Sequence, residues 1–238
     1  MKTIRTGPIQ VNTCIVPLAE NFVFIVDPAG CKASGDATAI TDYLAKNFLV
    51  PVAVVLTHGH FDHVIGLSVI KEAYPAIKIA IHKDDALSLG QGGVEFHRLC
   101  LEPMGGLSLI PFLASLPEAD ILLNDGDDLG KAFGKEHCLN LCKENTEKAE
   151  ENFKLLSQWT VIHTPGHTKG SICLYNKTRK ELISGDTLFF QSWGRTDLYG
   201  GSESAILKSL EHLKQTLPGD TLVYPGHDYS GFPLSQGI

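Results

Sequence analysis

Six consecutive residues, His58-Gly59-His60-Phe61-Asp62-His63, constrain this chain more than any other stretch. They place three imidazoles and a carboxylate directly behind the apolar run Val52–Leu56. A continuous run of that kind reads as a strand buried on both faces, and a rigid strand that hands over to a loop is a common place to present ligands. Independent placement of histidine and aspartate would give the pattern about once in a thousand such chains. Imidazole nitrogen and carboxylate oxygen suit zinc, iron or manganese, and no thiolate is required. The plainer alternative, a loop of solvated histidines, does not account for that density.

Three later segments repeat the context of a strand followed by a ligand-type residue in a glycine-containing turn: Thr164-Pro165-Gly166-His167-Thr168, Ser184-Gly185-Asp186-Thr187 and Tyr224-Pro225-Gly226-His227-Asp228. Glycine permits a sharp turn and a close approach of backbone to an ion. The candidate ligands are then His58, His60, Asp62, His63, His167, Asp186 and His227. Seven exceed what one ion with an open position needs, so the count favours two ions. A neutral imidazole has one free lone pair, so the shared ligand must be a carboxylate, Asp62 or Asp186. The place of Asp62 inside the histidine cluster inclines it to terminate on one ion.

The rest of the 238-residue chain reads as alternating strands and helices. Strands are expected at Val11–Val16 and Asn21–Val26 as an antiparallel pair, then at Ile77–Ile81, Trp159–His163, Ser171–Asn176, Glu181–Ser184 and Thr221–Tyr224. Helices are expected over Asp36–Phe48, Ile65–Tyr74, Ser202–Gln215 and, as a solvated helix, Lys143–Gln158. Two runs of strands with helices suggest an α/β (α+β) chain in which two sheets pack face to face under outer helices. No linker or repeat divides it, so we expect a single domain, 1–238, with a longer helical insertion around 84–158. The net charge of −7 argues against a nucleic-acid surface. No apolar run reaches the roughly 18 residues that cross a bilayer, and no secretory h-region is visible, so a soluble, cytoplasmic protein without membrane contact is expected. The six cysteines are scattered. Cys138 and Cys142 beside His137 lack an evident fourth ligand and read as ordinary thiols.

The H-x-H-x-D-H motif, the later P-G-H-T, S-G-D-T-L-F and P-G-H-D segments, and Gly194-Arg195-Thr196-Asp197-Leu198 together resemble the metallo-β-lactamase fold superfamily. Within it they look most like the glyoxalase II (hydroxyacylglutathione hydrolase) group, over Thr57 to Asp228 in motif order. The resemblance implies a four-layer αββα sandwich. It puts His58, His60 and His167 on a first metal and Asp62, His63 and His227 on a second, with Asp186 bridging. It further implies two divalent ions, zinc first with iron or manganese as alternatives, and hydrolysis of a small-molecule thioester by metal-activated hydroxide that Asp62 orients. Two other reactions share the motifs: persulfide dioxygenation by one iron on His58, His167 and Asp186, and lactone hydrolysis. The commonest zinc β-lactamases carry cysteine where Asp186 stands, so antibiotic hydrolysis is not expected. Eleven residues follow His227, so the helical substrate domain of long glyoxalase II enzymes is not expected either.

Arg195 admits two readings, a clamp for a substrate carboxylate or a salt bridge to Asp197. Lys169 is a second candidate for substrate contact, and Trp193 and Tyr199 are candidates for the pocket wall. His82, His97, His137, His163 and His212 read as structural or solvated, with His163 near enough in sequence to His167 to support it.

Overall fold

The run Phe22-Val23-Phe24-Ile25-Val26 is buried along its whole length, so both faces of the strand it forms must be covered. Phe22, Phe24 and Val26 join one apolar cluster, whereas Val23 and Ile25 join another. Two-sided burial of this kind requires a layered fold, and a computed structural model, which describes residues 1–143 and 145–237, shows which one.

In chain order the first half contains β1 (Lys2–Thr6), β2 (Val11–Pro17), β3 (Phe22–Val26), α1 (Ala39–Lys46), β4 (Val50–Val55), α2 (Phe61–Val64), α3 (Leu67–Ala73), β5 (Lys78–His82), α4 (Gly93–Leu101), α5 (Ile110–Leu113) and β6 (Ile121–Leu123). These strands form one six-stranded sheet in sequential order. It is antiparallel from β1 to β3 and parallel from β3 to β6. The second half contains α6 (Leu129–Phe133), α7 (Lys135–Leu141), α8 (Thr146–Leu156), β7 (Trp159–His163), β8 (Ile172–Asn176), β9 (Glu181–Gly185), β10 (Leu188–Phe189), β11 (Ser192–Trp193), α9 (Glu203–Thr216), β12 (Leu222–Pro225), β13 (Phe232–Pro233) and α10 (Leu234–Gly237). Its five-stranded sheet runs β13-β12-β9-β8-β7, and β10 pairs with β11 separately.

Val16, Phe24 and Val55 of the first sheet meet Trp159, Val161, Leu174 and Ile183 of the second in one buried cluster. Phe24 and Trp159 touch edge to face at 5.5 Å. Ile40 and Leu44 of α1 and Ile70 of α3 cover the outer face of the first sheet on Ile25, Val54 and Ile79. On the other side, Ile206, Leu210 and Leu213 of α9, at helical spacing, cover Cys173, Leu182 and Val223. Each such side chain contributes roughly 1.5–3 kcal/mol on burial. Ser202 caps α9 by accepting a hydrogen bond from the Ala205 amide. The layers are therefore helix, sheet, sheet, helix, the αββα sandwich that the resemblance implies.

Several elements differ from the reading of the sequence. β1 was not expected, yet it pairs with β2 over five residues from Lys2 to Thr6; its mixed polar sequence suits an edge strand. The helix expected over Ile65–Tyr74 lies at Leu67–Ala73, preceded by the separate turn of α2. The 84–158 segment, read as helical, also contains β6, which extends the first sheet beside β5. Within it, α6, α7 and α8 pack on the inter-sheet core through Leu129, Phe133, Cys138, Ala149 and Leu156. α8 is thus amphipathic rather than solvated, and its buried Asn152 accepts a hydrogen bond from the Ala19 amide. Among the described residues, no helix is long and apolar enough to cross a membrane.

Candidate metal centre

β3, β4, β5, β9 and β12 all end at one edge of the sandwich, and the segments beyond these ends build the site. Loops beyond the carboxyl ends of parallel strands are the usual place for a site in α/β sheets. Thr57 to His60 lead from β4 into α2, which carries Asp62 and His63; Asp186 comes directly after β9 and His227 shortly after β12. His167 lies in the turn between β7 and β8. All seven candidate ligands meet here, and all are buried except His227, which is partly exposed.

The ligands form two poles. His58, His60 and His167 have nitrogen atoms within 4.8 Å of one another, and so do the ligand atoms of Asp62, His63 and His227. At the first pole, His60 Nδ1 lies 2.8 Å from His167 Nε2. His167 is oriented by its other nitrogen, which donates to the Arg195 carbonyl at 2.7 Å, and His58 Nδ1 is 3.1 Å from the Thr57 hydroxyl. Burial first, and then the neighbouring imidazoles, holds His58 well below the ordinary histidine value. Burial and His167 do the same to His60. Neutral imidazoles with aimed lone pairs are what a metal requires. His58 Nε2 and His60 Nε2 are buried without a hydrogen-bond partner, a costly state that coordination would relieve at His58.

The second pole is built from opposite charges. Asp62 Oδ2 lies 3.3 Å from His63 Nε2 and 3.2 Å from His227 Nε2. Burial alone would push His63 down, yet Asp186, Asp62 and Asp27 together hold it well above its usual value. His227 is likewise raised despite burial, by its bond to Asp62 and the charge of Asp186. Burial would raise Asp62, but His63 and His227 overcome it and keep the carboxylate ionised. This pole stabilises positive charge, which suits a cation.

Asp186 stands between the poles. Oδ1 lies 3.3 Å from His63 Nε2, while Oδ2 lies 3.5 Å from both His167 Nε2 and His227 Nε2. Of the two carboxylates left open as the shared ligand, this is the one whose oxygens reach both histidine sets. Gly226 explains the turn that brings His227 in, since a Cβ there would collide with Asp186 Oδ1 and the His63 ring.

Two supporting carboxylates escaped the reading of the sequence. Asp27, at the end of β3 with φ of +52°, accepts from the Thr57 amide at 2.8 Å and hydroxyl at 2.6 Å. Its Oδ2 also lies 2.9 Å from His63 Nδ1, which leaves Nε2 to face the site. Asp85, just after β5, accepts from the amides of Gly59 and Gly170 and from the Thr168 hydroxyl at 2.8, 2.7 and 2.7 Å. It joins the loop of His58 and His60 to the loop of His167. The only sequence signal for either was an aspartate at a strand end near the motif strand.

A cavity of about 90 Å³ opens onto the ligands, walled by Ile9, Phe61, Cys100, Met104 and Leu198 together with Arg195. The Arg195 guanidinium makes the salt bridge to Asp197, with both contacts at 2.7 Å, and that bond holds Asp197 down to about 2. Lys169 is exposed and lines a neighbouring recess with Thr168 and Tyr199 instead. Trp193 is exposed on β11 beside the Gly194 turn. His163 Nε2 donates to the Lys169 carbonyl at 2.9 Å and so supports the His167 turn, while its ring stacks on His82. His97 and His137 donate to the carbonyls of Ser88 and Val52. The six cysteines are free and buried.

A sandwich of two sheets with imidazole and carboxylate side chains gathered at one edge is a scaffold for a metal centre. The family model of the metallo-beta-lactamase superfamily matches residues 6–227, and the chain belongs to that superfamily. Among curated relatives, it is 31% identical over 226 residues to the probable metallo-hydrolase YqgX of Bacillus subtilis, covering 95% of this chain and 89% of that one. It is 28% identical over 216 residues to a hydroxyacylglutathione hydrolase of Pelagibacter ubique, covering 91% of this chain and 65% of that one. Among solved structures, the BLEG-1 B3 metallo-beta-lactamase aligns with a TM-score of 0.76 and 29% identity over 99% of this chain and 94% of that one. The protein TTHA1623 in a di-iron-bound form aligns at 0.71 and 25%, over 99% and 96%. Asp186 sets this chain apart only from the β-lactamases that carry cysteine at that position.

Proposed function

We propose that this metallo-hydrolase cleaves a thioester or closely related acyl bond at a centre of two divalent ions. His58, His60 and His167 would hold one ion, Asp62, His63 and His227 the other, and Asp186 both. The observation that carries this reading is the position of the Asp186 carboxylate, with oxygens 3.3–3.5 Å from nitrogens of both poles. When bound, such a pair supplies Lewis acidity and lowers the pKa of water toward neutrality. The chain's own residues supply orientation. Asp27 fixes the tautomer of His63, the Arg195 carbonyl fixes that of His167, and ionised Asp62 orients the attacking water as well as serving as a ligand. The apolar wall of Ile9, Phe61, Met104 and Leu198 excludes bulk water from the acyl group.

The leaving group is constrained by what the wall lacks. Among the described residues that line the cavity there is no lysine, tyrosine or serine side chain, and burial pushes the Cys100 thiol up to about 12. No such side chain is placed to protonate a departing amine, whereas a thiol with a pKa near 8.5 leaves readily as thiolate. That favours the thioester, and the relative named hydroxyacylglutathione hydrolase agrees in reaction class. The one-iron dioxygenase reading uses only His58, His167 and Asp186, and it leaves the closely built set of Asp62, His63 and His227 without a role.

Metal analysis of protein purified without added metal or chelator is the test, followed by thioester turnover. Two ions per chain, whether zinc, iron or manganese, with thioester cleavage are expected. One iron per chain with oxygen uptake on a persulfide would overturn the reading.

A further inference from the structure

The cavity above the candidate ligands is small, and apart from those ligands and Arg195 its lining is Ile9, Phe61, Cys100, Met104 and Leu198. At about 90 Å³ it lies well below the roughly 300–1,000 Å³ of sites that enclose a drug-sized ligand. It admits an acyl group and a reacting bond, so the remainder of a substrate must lie across the mouth. Ile9 and Met104 stand at that mouth with 51% and 39% of their surface exposed. Both belong to the lining and extend its apolar part outward to solvent.

Arg195 is the one lysine or arginine among the described residues that line the cavity. All three of its side-chain nitrogens are engaged. Nε and Nη2 donate to the two oxygens of Asp197 at 2.7 Å, and Nη1 points at Met104 Sδ at 3.4 Å. Its charge is offset, and recruiting it would cost a bidentate ion pair. A substrate carboxylate drawn across this wall would lose hydration without gaining a cationic partner from the described residues that line it, since Lys169 lies in the neighbouring recess.

We infer that the substrate carries an uncharged, apolar group, alkyl or aryl, on its thiol side, where the glyoxalase II resemblance implies glutathione, a tripeptide with two carboxylates and an ammonium group. The inference rests on the thioester reading above and narrows its substrate class. Ile9 and Met104 are the specificity-determining residues.

The experiment compares two thioesters with the same acetyl group, S-benzyl thioacetate and S-acetylglutathione, on the metal-loaded full chain. A kcat/KM at least about tenfold higher for the benzyl ester is expected, and Met104→Lys should shrink that ratio by offering the missing cation. Equal or better use of the glutathione ester overturns the inference while leaving the hydrolase reading intact. Thermal-shift binding of two uncleavable thioethers, benzyl methyl sulfide and S-methylglutathione, supplies a readout independent of turnover. If neither ester is cleaved, the thioester reading fails. The inference, which rests on that reading, then falls with it; where turnover is seen, stabilisation by the neutral thioether alone supports the inference and equal stabilisation by the glutathione derivative overturns it.

Discussion

The two poles of the candidate centre are built from different chemistry. One is three imidazoles, two of which burial and mutual repulsion hold well below their usual value. The other sets two imidazoles against Asp62, and they are held above it. Each has a buried carboxylate in support, and the supports also differ, although Asp27 reaches the first pole too, through Thr57 and its contact with His58. Asp27 contacts a ligand ring directly at His63, whereas Asp85 touches no ligand and instead bonds the backbone and hydroxyl groups of the two loops that carry them. One supporting carboxylate thus acts on a ring of its pole, the other on the loops that carry the rings. Their common element is Asp186.

That comparison can be broken most severely at Asp186. Asp186→Ala should lower thioester turnover by roughly a thousandfold, because it removes the carboxylate we propose is shared by both ions, and metal analysis should show depletion at both. Retention of full activity would remove Asp186 from the centre. Next come paired substitutions at single poles. His227→Ala should leave one ion per chain on the three-histidine pole, and His167→Ala should leave one on the other. Mass spectrometry of metal content checks both, and loss of two ions in each case would mean that the poles do not bind independently.

Changes to the supporting carboxylates should be milder. Asp27→Asn and Asp85→Asn should each weaken metal affinity by about 10–100-fold, but at different poles. Competition with a chelator should strip the Asp27→Asn protein first of the ion near His63, and the Asp85→Asn protein first of the other. Identical stripping curves would erase the distinction between the two kinds of support.

The smallest effect on the site, and a control for it, is the pH response of His97. Burial pushes this side chain from the ordinary 6.5 down to about 4. Its neutral form is therefore favoured by folding, so its contribution is complete above pH 6.5 and is lost as pH falls toward 4. The loss should amount to ~2–3 kcal/mol. Denaturant titrations between pH 7 and pH 4 should show a flatter slope in His97→Gln, which keeps a donor for the Ser88 carbonyl.

How much of this was legible in the chain depended on how local the signal was. His58 to His63 announce themselves because four ligand-type residues fall within six positions behind an apolar strand. His167, Asp186 and His227 are single residues, yet each sits next to a glycine in a turn after a recognisable strand. Asp27 and Asp85 had no such company. An aspartate after a strand is an ordinary turn residue, and only the meeting of β3, β4 and β5 at one edge shows what each carboxylate faces. Among the elements, β6 is three residues long with Leu122 exposed, too short for alternation to register. α6 and α7 were hidden by Gly130 and Gly134. Gly130 is required because a Cβ there would collide with Ser157 and the Phe153 carbonyl of α8, a packing demand that resembles a loop signal in one dimension.

The tether made by Asp85 also bears on the order of events during folding. Its bonds span 26, 83 and 85 positions along the chain, and His60 meets His167 across 107. Contacts so distant in sequence form only after the loops between them have closed. The three-histidine pole therefore does not exist in a chain with one sheet formed and the other still undocked. Its completion coincides with the docking of the two halves, and whatever binds there holds the sandwich shut.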